Sequence, residues 1–353
     1  MIDFKCGCGQ TLFFENTTCL RCGSRVGYDP WSRRMLRLST ATGPGSQKAP
    51  QSEAGPLCRN GVDFGVCNWI VGDAGKEYCL SCSLNQTIPD LVDSDRLLWW
   101  KQLEHAKRRL IFGLLQLNLP VTGKHESEHG LAFRFIEDRR SNPRVAEEHV
   151  YTGHSEGVVT INVTEADNMR REMERRHAGE LYRTLLGHFR HESGHYYFRL
   201  LIDGEKRIAR FRDLFGDDRQ DYDAALERYY SGPRIRDPDF ISAYAQSHPL
   251  EDWAEIWAHY LHMTDTLETA GFYGLPQGSD HFDSLEDLLQ KWSELTILLN
   301  SLNRSMGLED AYPFVLSEAT IRKLQFVHGL VVHDPGCPSS PPSSGAASAG
   351  TRS

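Results

Sequence analysis

A chain of 353 residues is long enough for one sizeable domain with small accessory modules. Its 40% apolar and 25% charged residues are those of an ordinary globular chain, and its net charge of −9 argues against bulk attraction to nucleic acid. The longest apolar stretch, around residues 110–119, is too short and interrupted to span a bilayer, and the N-terminus shows no charged-then-apolar leader, so a cytoplasmic protein is expected.

Eight of the nine cysteines fall into two sets. Cys6, Cys8, Cys19 and Cys22 form the first, in residues 1–38, where close pairs flank short apolar strands near residues 11–14. A tight turn points two sulfurs at one tetrahedral zinc ion, and Gly7, Gly9 and Gly23 suit such turns. A module this small buries too little apolar surface to fold without its metal. Residues 39–56 turn to Gly, Pro, Ser, Ala and Gln and read as a flexible linker. Cys58, Cys67, Cys79 and Cys82 form the second set, in a lobe over residues 57–90 with Trp69 and Tyr78 as packing residues. Residues 1–60 hold eight Lys or Arg and four Asp or Glu, a formal +4 that four zinc-bound thiolates would reduce. That favours docking or recognition with ordinary surface charge over nucleic-acid contact.

Residues 91–333 read as the main domain. A helix opens at Asp93 and Ser94, carries Leu97, Leu98, Trp99, Leu103, Leu110, Leu114 and Leu117, and stops at Pro120. Residues 131–136 and 158–163 read as strands, the second from the alternation of Val159, Ile161 and Val163. The 153–157 stretch before it is a cleft loop or an ordinary hairpin loop. Thr164 and Asp167 resemble a capping box before a polar helix that ends near His177, with Gly179 behind it. The charged segment 203–248 is placed to roof a cleft, helices follow to about residue 329 with a break at 271–280, and residues 334–353 form a disordered Pro/Ser/Gly/Ala tail that includes Cys337.

The strongest chemical signal is His191-Glu192-Ser193-Gly194-His195, inside a Pro-free amphipathic stretch over residues 180–201. Positions i and i+4 share a helix face, so both imidazoles can meet one zinc ion, while Glu192 is turned aside to take a proton from the bound water. Gly194 is a poor helix former, and a small residue there suits close approach by a strand or substrate. A third ligand is needed. Leu201 and Phe198 stand where a third nearby His and its Gly would be, so a carboxylate on a later helix is sought, with Glu251 and Glu255 on one face of a helix that starts at Pro249. His188, a turn before His191, is placed to line the site, and His188, His259 and His262 are all read as surface residues in preference to extra ligands.

The segments HESGHYY, AYAQSHPLEDWAEIWAHYLH and LNRSMGLEDAYPFVL resemble a bacterial family of zinc-binding metallopeptidases with an N-terminal zinc ribbon. The likeness runs from the first cysteines to about His328. The core is also similar to gluzincins of the lethal-factor type. The resemblance implies an α+β fold: four-cysteine zinc-ribbon modules, then a mainly helical zincin-like domain with a small sheet whose free strand edge pairs with substrate. It implies Glu251 as third ligand, Glu255 as acceptor for a ligand histidine, and Tyr244 as the hydroxyl that stabilises an oxyanion. The expected cofactors are one catalytic and two structural zinc ions. The expected function is zinc-dependent hydrolysis of a protein or peptide substrate, with the ribbon for docking and no membrane partner. The alternative is a catalytically idle zinc scaffold contacting protein or nucleic acid.

Overall fold

The cysteine lobes and the helical remainder share one core in the computed structural model, which describes residues 3–39, 50–73, 75–92, 94–178, 183–232, 237–279, 282 and 284–333. The fold is α+β, as expected. In the first lobe β1 (Phe4–Lys5) pairs antiparallel with β2 (Thr11–Leu12), and β3 (Val26–Asp29) with β4 (Arg34–Arg37). Residues expected to belong to a linker instead form a small hairpin, β5 (Gln51–Ser52) with β6 (Gly55–Pro56), and Ser39 bridges to Gln51. Residues 40–49 of that linker lie outside the described residues, as do Gly179 and the tail with Cys337. Helix α1 (Arg59–Asp63) and strand β7 (Asn85–Thr87) belong to the second lobe. Trp69 is fully buried there, but Tyr78 is exposed and does not pack as expected.

Helix α2 (Ser94–Gln116) is the spine that both lobes lean on. Trp100, Leu103, Leu110, Ile111 and Leu114 recur at helical spacing and are buried. Phe112 on this helix meets Phe14 at 5.2 Å and Tyr28 at 5.8 Å between ring centroids, and Phe14 meets Trp69 at 6.2 Å. Arg33, in the β3–β4 turn, donates to the Leu115 carbonyl at 2.8 Å and to the Gln116 side chain at 2.7 Å. It thereby satisfies the last turn of the helix, where carbonyls lack intrahelical partners.

The sheet combines β7, β8 (Ala132–Ile136), β9 (Gly153–Ser155) and β10 (Val158–Asn162) in the order β7-β8-β10-β9. The first three are parallel and β9 is antiparallel to β10. The alternation read from the sequence is real, since Val159 and Ile161 are fully buried with Phe133 and Phe135. The edge of β10 expected to face substrate is instead covered by β9, because Glu156 and Gly157 fold the chain back at positive φ. Helix α3 (Asn168–Ala178) is capped by Asp167, whose carboxylate accepts from the Met169 amide at 2.8 Å. Thr164 lies in a preceding 3₁₀ turn and bonds to Asn162 instead of forming a capping box.

The remaining helices are α4 (Leu185–Leu201), α5 (Glu205–Phe215), α6 (Tyr222–Ser231), α7 (Pro249–Phe272), α8 (Leu285–Ser305) and α9 (Glu318–His333). Thr184 caps α4, and Pro249 sits in the first turn of α7 behind His248. Helix α4 packs on both α2 and α7. Gly194 makes the second contact possible: a Cβ there would lie 2.9 Å from Ala254 Cα. The neighbour is a helix, not the strand or substrate expected. Trp253 and Trp257 of α7 donate to the Gly194 carbonyl at 2.8 Å and to Ser193 Oγ at 3.0 Å, which pins the crossing. No helix among the described residues is long and apolar enough to cross a membrane.

Candidate metal centre

The fold gathers three sets of metal-capable side chains. In the first, Cys6 and Cys22 sulfurs are 3.7 Å apart and those of Cys8 and Cys19 3.6 Å. Four thiolates at tetrahedral zinc distances are ~3.8 Å apart, so the set fits that ion. Gly9 and Gly23 close the two turns at positive φ, with values of 84° and 69°. Ser24, through its hydroxyl at 3.3 Å and its amide, lowers the Cys22 thiol to about 6, favouring the thiolate.

The second set, Cys58, Cys67, Cys79 and Cys82, is wholly buried, with Cys67 and Cys79 sulfurs 3.7 Å apart. Amides of Trp69 and Cys79 point at the sulfurs of Cys67 and Cys58 from 3.4 and 3.5 Å. Helix α2 supplies the neighbouring charges. Arg108, 2% exposed, donates to the Val66 carbonyl at 2.5 Å. Burial disfavours its charge, but Cys67, Glu104, Cys82 and Cys79 outweigh this and raise its pKa. Glu104 accepts from Asn85, Trp100 and Lys107 at 2.7, 3.1 and 3.0 Å. Nothing in the sequence pattern singled out this buried charge cluster.

The third set lies where α4 crosses α7. His191 Nε2 is 2.9 Å from Glu251 Oε2, and His195 Nε2 is 3.4 Å from Glu251 Oε1. The ligand atoms of the three residues lie within 4.8 Å of one another, close enough to share one zinc ion. Glu251 is 1% exposed; burial would raise its pKa, but His191 and His195 hold it well below the carboxylate range. His191 Nδ1 is 2.8 Å from Glu255 Oε1, so Glu255 meets the ring nitrogen that faces away from Glu251. Glu192 is 7% exposed, burial raises its pKa, and its Oε2 has no hydrogen-bond partner. The Tyr244 ring, in a 3₁₀ turn before α7, is 5.9 Å from that of His191, and burial keeps its hydroxyl protonated.

A cleft of about 740 Å³ opens on this centre, with His191, Glu192, Tyr244 and Glu255 in its wall. Tyr229 and Tyr230 from α6, with residues 241–244, also line it, so the 203–248 segment contributes to the cleft wall. His188 lines it, one of the two readings of that residue, and so do His259 and His262, which were expected at the surface. His188 pairs with Glu165 at 3.3 Å and His259 with the Tyr312 hydroxyl at 2.8 Å, away from the three metal-capable sets. Two contacts escaped sequence reasoning. The His154 ring, on edge strand β9, stacks on His195 at 6.1 Å and 14°. Tyr222 donates its hydroxyl to Glu251 Oε1 at 2.6 Å.

A helical domain that builds a two-histidine, one-carboxylate centre beside a cleft, with cysteine-held lobes on its first helix, defines a class of zinc-binding proteins. Residues 96–330 match the family described as "Putative zinc-binding metallo-peptidase", and the chain belongs to it. Residues 3–93 match a zinc-ribbon domain, which spans both cysteine sets. Uncharacterized proteins of Mycobacterium bovis and Mycobacterium tuberculosis are 42% identical over 344 residues, covering 94% of this chain and 95% of theirs. No solved structure matches the chain.

Proposed function

We propose that the protein is a zinc-dependent peptidase that uses a zinc-activated water to hydrolyse peptide bonds. The observation that carries this reading is a buried Glu192 in the wall of the cleft, its Oε2 without a hydrogen-bond partner, close to His191, His195 and Glu251. A zinc ion bound there supplies the acidity that brings a water to a pKa of about 7 and polarises the amide carbonyl. Glu192 Oε2, with no competing hydrogen bond, accepts the water's proton and hands it to the leaving amine. Tyr244 keeps its proton and donates to the oxyanion. Glu255 fixes the tautomer and orientation of His191. The outer side of β9 offers backbone groups to an extended peptide, in the gluzincin manner.

Two further zinc ions on the cysteine sets complete the proposed stoichiometry of one catalytic and two structural ions. The eight cysteines among the described residues, grouped in two four-sulfur sets suited to zinc, support a reducing compartment such as the cytoplasm. The test is Glu192→Gln. Gln keeps the size but cannot take the proton, so the variant should hold three zinc ions and lose about 10²–10⁴-fold in peptide-library cleavage. Full activity in that variant would reject the mechanism. Absence of cleavage by fully metallated parent protein would instead favour an idle scaffold.

A further inference from the structure

The carboxylate at the centre has two oxygens, and they are treated differently by the fold. Glu251 Oε2 faces His191 at 2.9 Å. Oε1 is 3.4 Å from His195 Nε2 and accepts a 2.6 Å bond from the Tyr222 hydroxyl. Tyr222 reaches it from α6, 29 residues earlier in the chain. Its position is fixed at both ends. Asp221 caps α6 through the Ala224 amide at 3.0 Å, which sets where the first helical residue stands. The Tyr222 ring packs edge-on against His248 at 5.1 Å. His248 in turn caps α7 through the Leu250 amide at 3.1 Å and lies 3.2 Å from the Gln220 carbonyl. The start of α6, the start of α7 and Glu251 therefore form one closed loop of contacts.

We propose that Tyr222 is a positioning residue that holds Glu251 for the metal: its hydroxyl anchors one carboxylate oxygen so that the other stays aimed at the ion. The inference rests on the reading of Glu251 as a ligand. An unanchored glutamate has three rotatable bonds and must be ordered when the ion binds; a hydroxyl bond made beforehand removes that cost. Tyr222 differs in this from Tyr244, whose ring lies beside His191 and in the cleft wall, where a substrate would pass. Tyr222 is not among the residues of that wall; its hydroxyl bonds Glu251 directly and also lies in hydrogen-bond reach of Tyr244. The helix that carries Tyr222 also contributes Tyr229 and Tyr230 to the lining of the cleft, so one element serves both the ligand and the cleft wall.

The experiment compares the parent, Tyr222→Phe, Tyr244→Phe and Glu251→Ala as full-length proteins. Zinc affinity at the histidine centre is read by competition with a chromophoric chelator, and the unfolding temperature of each zinc-stripped protein is recorded. Tyr222→Phe keeps the ring against His248 and removes only the hydroxyl. It should weaken zinc binding about 10–100-fold, as losses of ligand-orienting partners do, with the stripped protein melting as the parent does. Tyr244→Phe should bind zinc like the parent. Parent-like affinity in Tyr222→Phe overturns the proposal, and so does a weakened affinity accompanied by an equal loss of stability in the stripped protein. Parent-like affinity in Glu251→Ala would show instead that the ligand assignment beneath it is at fault.

Discussion

Replacing Gly194 by Ala sets two effects of known size against each other. Alanine is the better helix former by about 1 kcal/mol, so an isolated α4 would gain. In the folded chain the new methyl would meet Ala254 Cα at 2.9 Å, Trp257 Cδ1 at 3.2 Å and Ala254 Cβ at 3.3 Å. Carbon contacts are most favourable at ~3.5–4.0 Å, so all three are compressed. The nearest atom is helix backbone and cannot rotate away. The flanking Trp253 and Trp257 are fully buried and hydrogen-bonded to α4, so α7 must move as a body. Overpacking of this kind costs about 1–3 kcal/mol against a propensity gain of about 1 kcal/mol, which leaves a net loss of up to about 2 kcal/mol. His195 follows Gly194 directly and Glu251 precedes Ala254 by one turn. A shift of α7 therefore opens the 3.4 Å approach of His195 to Glu251, and zinc affinity should fall with stability. Urea denaturation of the stripped protein and chelator competition on the loaded one measure the two losses. A Gly194→Ala variant more stable than its parent would refute the close crossing on which the site's geometry depends.

Glu251→Ala should empty the histidine centre, whereas Glu255→Ala should weaken zinc about 10–100-fold by freeing the His191 ring, both read by metal analysis. Cys67→Ser should release the ion of the buried cysteine set and leave Arg108 beside an incomplete counter-charge, destabilising α2 by about 3 kcal/mol or more in hydrogen exchange. Burial would raise the Asp138 carboxyl, but Arg140, the Val150 amide and Asn162 outweigh it and lower it to about 2. Because the folded value is below the unfolded one, its stabilisation is present above about pH 4 and is lost as pH falls through about 2. Asn162→Leu should flatten that part of the acid-unfolding profile.

What the sequence carried legibly was local. The His191–His195 spacing, the cysteine pairs and the alternation at Val159 and Ile161 each encode a short-range geometry, and the structure contains each. Glu251 and Glu255 were legible as two carboxylates on one helix face. Which nitrogen of His191 each one meets depends on how α4 crosses α7, and that is set by Gly194 and two tryptophans 59 to 64 residues away. The edge of the sheet was misread because one tight turn at Glu156 and Gly157 decides whether β10 lies outside or inside. Tyr222 left no signal, since nothing in its neighbours distinguishes it from the other tyrosines of α6. The histidines at 188, 259 and 262 were misplaced for a related reason: their partners, Glu165 and Tyr312 among them, are distant in the chain.

The three centres also differ in how they join the fold, and this bears on what the ribbon is for. The histidine centre opens into the cleft, and in the first cysteine set Cys22 is exposed and Cys8 half-buried. The second cysteine set is sealed, and its charge is met from α2 by Arg108. Phe14 and Tyr28 pack on Phe112, Arg33 closes the last turn of α2, and Glu15 pairs with Arg109. One face of the ribbon is thus spent on the helix that also supports α4. A module tethered only for docking would not need its core shared with the helices of the main domain. The ribbon is thus packed against α2 as part of the same core, while its Phe13 and Leu20 remain exposed.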